Sequence, residues 1–252
     1  MGDGPLFSLP FAALVRGARK PIAVAQSGTV FARLHGRPRT PLEAAKIVAF
    51  GNPEPLAEPS SPLPWARREL ERVAELFGER ATVFYGRGAT EERVRATAGE
   101  ADYLHFATHA VLDRRLPLES ALALALPGGR TRAASADDGS LRGWEIAEQL
   151  DLHADLVTLS ACSSALGGEL AGEGITGLAR AFQYAGARSL LVSLWDVSDR
   201  STAELMERFY EGLRRGESKS GALLAAQASL LSQPQTAHPF HWAAFELLGD
   251  WE

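Results

Sequence analysis

Short apolar runs of strand length recur along the chain, and between them lie segments whose apolar positions return every three or four residues. "KIVAFGN" (Lys46–Asn52) reads as a buried strand, and the Pro- and Ser-rich "PEPLAEPSSPLP" after it can continue neither helix nor sheet. In "WARRELERVAELFG" the apolar set Trp65, Leu70, Val73, Ala74, Leu76 and Phe77 predicts an amphipathic helix stopped by Gly78. A strand, "ATVFYG", follows. Thr90 offers a cap for a helix through "TEERVRATAGEA"; Arg93 stands where a capping box needs Glu or Gln, while Glu91 and Glu92 suit the positive helix end. The helix leads into the strand "YLHFATH", which ends in His109.

"ALALAL" (Ala121–Leu126) is a short strand, and the turn-rich "PGGRTRAASADDGSLRG" behind it reads as a mobile loop or hairpin over 127–143, with Arg130 and Arg132 as sites for cleavage of the chain by itself. "GWEIAEQLDL" predicts a short helix, "DLVTLSAC" a strand ending in Cys162, and "GITGLARAFQYAGA" a helix with Ile175, Leu178, Ala179 and Phe182 on one face. "SLLVSLW" is another buried strand, "STAELMERFYEGLRRG" and "SGALLAAQASLLSQ" are helices, and "HWAAFELLGD" closes on a strand. Strands that are apolar throughout, alternating with helices, argue for an α/β fold: a three-layer sandwich with a mostly parallel sheet covered on both faces. In such sheets the chemistry collects beyond the carboxyl ends of the strands, where both His109 and Cys162 fall.

With 252 residues and 46% apolar content, the chain can bury the core of one domain spanning 1–252. Lys and Arg total 26 against 31 Asp and Glu, so no basic surface for a nucleic-acid partner is implied. One cysteine excludes an internal disulfide framework, a usage that fits a reducing, cytoplasmic setting. No stretch is apolar enough to cross a membrane or act as a signal peptide.

A lone cysteine is more often an inert buried group than a reactive one. Cys162, however, ends its strand in "SAC" and precedes the glycine-rich "SSALGGELAGEG", which supplies exposed backbone instead of a packed wall. His105 and His109 have the i, i+4 spacing of a helical zinc site, but they lie in a strand pattern, so neither metal nor cofactor is expected and His105 reads as a hydrogen-bonded core residue. A cysteine peptidase needs a thiolate, an imidazole to take and return a proton, and amide N–H groups aimed at the oxyanion. His109 and Cys162 on neighbouring strand ends supply the first two, and bends of the chain into loops there would turn amides outward for the third.

The order strand, histidine, strand, "SAC", with 53 residues between His109 and Cys162, is that of caspase-like peptidases. "LHFATHAVLD", "PLESALALA", "DLVTLSACSSALGG", "GEGITGLARAFQYAGARSLLVSLWDVSD" and "HPFHWAAFELLGD" together resemble the CHAT domain, a bacterial caspase-like domain often joined to tetratricopeptide repeats and related to separase. The resemblance runs from about Pro5 to Trp251, and the opening "GPLFSLPFAAL" matches a part of the domain that an earlier strand precedes in the family. It implies a caspase-like sandwich and a cysteine endopeptidase acting on a protein substrate, with His109 as general acid/base and Cys162 as nucleophile. The oxyanion would be held by the amides of Ala110 and Cys162. The family usually has glycine at Ala110 and often "CETG" where "CSS" stands; alanine keeps the N–H but disfavours φ > 0.

"SLWDVSD" adds Asp196 and Asp199 past a strand on the same edge. A carboxylate there could pair with an arginine before the scissile bond, the preference of the separase relatives; Asp199 is favoured, with Asp196 as substitute. The competing role is to cap the helix beginning near Ser201. No tetratricopeptide-length repeat occurs in the chain, so a repeat or other regulatory partner would be separate. The rival function is a noncatalytic CHAT-like module that binds a protein through the same cleft. A small-molecule α/β hydrolase lacks its G-x-S-x-G elbow.

Overall fold

The apolar runs become the strands of one main sheet. The computed structural model describes residues 9–14, 20–25, 27–35, 40–54, 56, 63–113, 115–126, 137–160, 162–163 and 172–252. Within them the strands are β1 (Ile47–Gly51), β2 (Ala81–Tyr85), β3 (Tyr103–Ala107), β4 (His109–Val111), β5 (Ala121–Ala123), β6 (Ser140–Arg142), β7 (Leu156–Leu159), β8 (Cys162–Ser163), β9 (Ser189–Ser193) and β10 (Phe245–Gly249). The α-helices are α1 (Phe11–Leu14), α2 (Gly28–Leu34), α3 (Ala66–Phe77), α4 (Glu91–Thr97), α5 (Gly143–Gln149), α6 (Gly172–Tyr184), α7 (Asp199–Arg214) and α8 (Lys219–Leu231). The six-stranded sheet has the order β10-β9-β7-β3-β1-β2, parallel except for the antiparallel edge strand β10.

Alternation along the strands builds the three layers. Val48, Phe50, Leu104, Phe106, Val157 and Leu159 belong to one core with Val94 of α4, Ile146 of α5 and Leu178 and Phe182 of α6. Their neighbours Ile47, Tyr103 and Leu156 belong to the other, with Val73 and Phe77 of α3, Leu205, Met206 and Phe209 of α7 and Leu223 of α8. Helices therefore cover both faces. Helix α3 stops where expected, because Gly78 sits at φ 59, a conformation its missing side chain permits. Thr90 caps α4, its side chain accepting the Arg93 N–H.

A second, four-stranded sheet, β6-β5-β4-β8, gathers the expected strand at Ala121, the chain beyond the expected strand ends at His109 and Cys162, and the end of the expected loop or hairpin. Strand β3 ends at Ala107, steps through Thr108 and re-pairs as β4; β7 re-pairs beyond Ser160 as β8. Thr108 fastens the step by donating its hydroxyl to Ala123 O of β5. Ser140–Arg142 form β6, antiparallel to β5, and its start is held by the Glu91 carboxylate, which accepts from the Gly139 and Ser140 N–H groups. The rest of the expected mobile loop, with Arg130 and Arg132, lies outside the described residues, as does most of the glycine-rich stretch after Cys162.

Candidate active site

His109 opens β4 and Cys162 opens β8, and the two are register partners in a parallel pair. Four residues earlier, in the main sheet, His105 is the register partner of Thr158. Both pairings have the same offset of 53 residues, so β3 and β7 leave the main sheet together and keep their register across the break. Neighbouring strands lie about 4.8 Å apart. His109 is buried, at 5% exposure, in the floor of the small sheet.

The backbone just after His109 differs from the expected bend. Ala110 does not bend into a loop: it is fully buried and pairs with Leu122 on one side and Ser163 on the other. Its backbone is outside the left-handed region, since Asn52 is the one non-glycine residue with positive φ among the described residues. Alanine in place of the family's usual glycine thus carries no backbone strain in this conformation.

Asp196 and Asp199 follow β9 and both lie within the electrostatic reach of His109. Asp196 is exposed at the surface, and partial desolvation pushes its carboxyl above its ordinary range, partly offset by His109. Burial also raises Asp199; a bond from the Trp65 N–H works against this, Glu69 adds to it and His109 opposes it. The helix foreseen from Ser201 begins at Asp199, and Ser198 at its N-cap makes no side-chain cap bond. Asp199 instead reaches across to α3, its Oδ2 accepting from the N–H of Trp65, the N-cap of that helix, at 2.6 Å. It ties α7 to α3, while the Trp65 ring lies near the guanidinium carbons of Arg68 and Arg200, 5.3 and 5.6 Å from its centroid.

Beneath this edge runs a buried polar chain that sequence reasoning reached only at His105. His105 Nε2 meets Glu69 Oε1 at 2.7 Å, His105 Nδ1 meets the Tyr210 hydroxyl at 3.1 Å, and that hydroxyl meets Thr158 Oγ1 at 2.9 Å. The four side chains come from β3, α3, α7 and β7 and are nearly inaccessible to solvent. Burial holds the Tyr210 phenol far above its ordinary range, so it remains a hydroxyl donor. The available signal was polar residues inside apolar stripes: Glu69 is four residues from both Trp65 and Val73, and Thr158 interrupts "LVTL".

Among the described residues, His35, Asp250 and Glu252 form the one His/carboxylate group close enough to share an ion; it includes neither His109 nor the aspartates past β9. A cavity of about 550 Å³ between α8, β10 and the N-terminal segment likewise involves none of these residues.

A CHAT domain model matches residues 1–250. The chain belongs to the CHAT domain family. Among curated relatives, tetratricopeptide repeat protein 28 of Homo sapiens is 29% identical over 248 residues, covering 88% of this chain, and that of Mus musculus 28% over 256 residues, covering 92%. This CHAT chain spans only 10% of either relative. Among solved structures, the Saccharomyces cerevisiae separase–securin complex matches 97% of the chain and 15% of its own, with TM-score 0.60 at 16% identity. The Arg-specific cysteine proteinase gingipain R matches 88% of the chain and 50% of its own, with TM-score 0.53 at 10% identity. The CHAT chain therefore has the caspase-like fold of these cysteine peptidases. Among its described residues no helix is long and apolar enough to cross a membrane.

Proposed function

We propose that this CHAT chain is a cysteine endopeptidase that cleaves a protein substrate after a basic residue, using His109 and Cys162 as a dyad. The observation that carries the reading is the preserved register of β3 and β7, which sets His109 opposite Cys162 at the carboxyl edge of the sheet. In the proposed reaction His109 takes the Cys162 thiol proton and the thiolate adds to the substrate carbonyl carbon. The oxyanion is held by backbone amides around Ala110 and Cys162. Collapse of the adduct breaks the C–N bond as His109 gives its proton to the leaving amine, and water then releases the acyl group from sulfur.

Asp199 is the proposed partner of the basic side chain, with Asp196 beside it. The Trp65 N–H occupies one lone pair of Asp199 and leaves acceptor capacity for a guanidinium fork. Cleavage of matched arginine, lysine and leucine peptides tests this, with arginine best and lysine weaker, because a point charge cannot reproduce planar two-bond pairing. Asp199→Asn keeps an acceptor for Trp65 while removing the charge. It should lower kcat/KM for arginine peptides by roughly two powers of ten at an unchanged unfolding midpoint, the scale of a lost buried ion pair. A wild type that favours leucine would end the acidic-pocket reading.

A second reading has its own support. The curated relatives are tetratricopeptide repeat proteins, and the likeness to separase comes from a complex with securin. A CHAT module that binds a protein partner through this edge, in a repeat-containing assembly, predicts binding that survives Cys162→Ala, with no turnover by the wild type.

A further inference from the structure

We propose that Thr108 is a positioning residue for the proposed dyad: its hydroxyl sets where the chain enters the small sheet, and so where His109 stands relative to Cys162. The inference rests on the dyad reading and deepens it. Thr108 is the single residue between β3 and β4, where the chain leaves one sheet and joins the other. At such a step the backbone ladder is interrupted, and other bonds must fix the path of the chain. Two do so here. On the β1 flank the Asn52 N–H donates to Ala107 O at 3.1 Å, and Asn52 makes that bond from the left-handed region, at φ 44, which an asparagine tolerates better than most residues. On the β5 flank the Thr108 hydroxyl donates to Ala123 O.

The hydroxyl bond has one possible sense, because a carbonyl oxygen accepts and cannot donate. Thr108 is wholly buried, so bulk water does not compete for its side chain. The acceptor sits on a fixed support. Strand β5 pairs with β6, the Leu124 N–H donates to Gly139 O, and the Ala125 N–H donates to Ala89 O just ahead of α4. Ala123 is the next residue of β5 beyond the Ala110↔Leu122 pair, so the hydroxyl holds β4 at the level of His109. Strand β4 lies between β5 and β8, and His109 has Cys162 as its register partner on the side away from β5. The Thr108 bond thus ties the start of β4 to the framework around α4, opposite the side on which the dyad is proposed. A shift at this step moves His109 and leaves Cys162, which arrives from β7, where it is. Proton transfer needs its partners within hydrogen-bond reach, and a misplacement of about 1 Å costs on the order of a hundredfold in rate.

The test is Thr108→Val, which removes the hydroxyl at nearly constant volume, beside Thr108→Ser, which returns it. Because Cys162 is the chain's only cysteine, its alkylation by iodoacetamide as a function of pH reads the dyad without any peptide substrate. An imidazolium beside the thiol lowers the alkylation midpoint below the roughly 8.5 of a free cysteine. The other described titratable groups that act on His109 are Asp196 and Asp199, and these substitutions leave both in place. Thr108→Val should move the midpoint up toward that of His109→Ala and lower kcat by roughly ten- to a hundredfold at unchanged KM. Thr108→Ser should restore both. Equal losses in the Val and Ser variants, with lowered unfolding midpoints, would make the position structural and overturn the proposal. Thr108→Ala stands in if Thr108→Val does not fold, and a folded Thr108→Ser with the His109→Ala profile overturns the proposal by itself. If the wild type and His109→Ala share one alkylation midpoint, the dyad reading falls and this role with it. If those two differ and Thr108→Val matches the wild type in midpoint and kcat, only the role of Thr108 falls.

Discussion

His105 and His109 are the same residue four positions apart on one run of chain, and their surroundings give them different work. His105 is saturated by Glu69 and Tyr210 inside the core, whereas His109 opens β4 opposite Cys162 and within reach of two aspartates. Under the proposed chemistry His109→Ala and Cys162→Ala should each remove nearly all turnover, and the double variant should be hardly worse, because the pair acts as one unit. Steady-state cleavage by the three proteins checks this. Tyr210→Phe is the matching core experiment. It deprives His105 Nδ1 and the Thr158 hydroxyl of a shared partner, so urea unfolding should show a loss of about 1–3 kcal/mol. Unchanged stability would mean that the buried chain adds nothing to the fold.

At the scale of elements, the main-sheet strands and the longer helices could be read from periodicity, because one buried face or two leaves a repeating apolar signature. Of the small sheet only β5 and the first residues of β4 and β8 could, and its pairing could not. Strands β4, β5, β6 and β8 have two or three residues each, too few for a period, and their pairing depends on β3 and β7 leaving the main sheet together. Asp199 illustrates the same limit, since its bond to Trp65 crosses 134 positions of sequence and has no local trace. Strand β10 carries a pH test. Burial pushes Glu246 up to about 7, against the opposing effect of the Phe11 N–H. The folded state then holds a proton that the unfolded chain releases near 4.5, so stability should be greatest below that value and fall as pH rises to about 7. The loss should be on the order of a few kcal/mol, flat above pH 7 and absent in Glu246→Gln. Denaturant midpoints measured between pH 4 and 8 decide it; a rise of stability over that window in the wild type, with Glu246→Gln unchanged, would contradict it.

For the whole molecule, the two cores and the parallel sheet follow from alternation along β1, β3 and β7, and they bring α3 and α7 onto the face that carries His105. That convergence joins strand register, the Trp65–Asp199 tie and the Glu69–His105–Tyr210 chain at one edge. Under the proposed function this edge would hold the dyad, and the acidic residues beside it would select a basic substrate. The most direct measurement is covalent labelling with a peptide electrophile bearing arginine at its reactive end, read by intact mass and peptide mapping. The account predicts one adduct on Cys162 in the wild type, a much slower one in His109→Ala, and weak reaction with the lysine and leucine analogues. An unlabelled Cys162, or labelling at the same rate with the leucine probe and in His109→Ala, would contradict it.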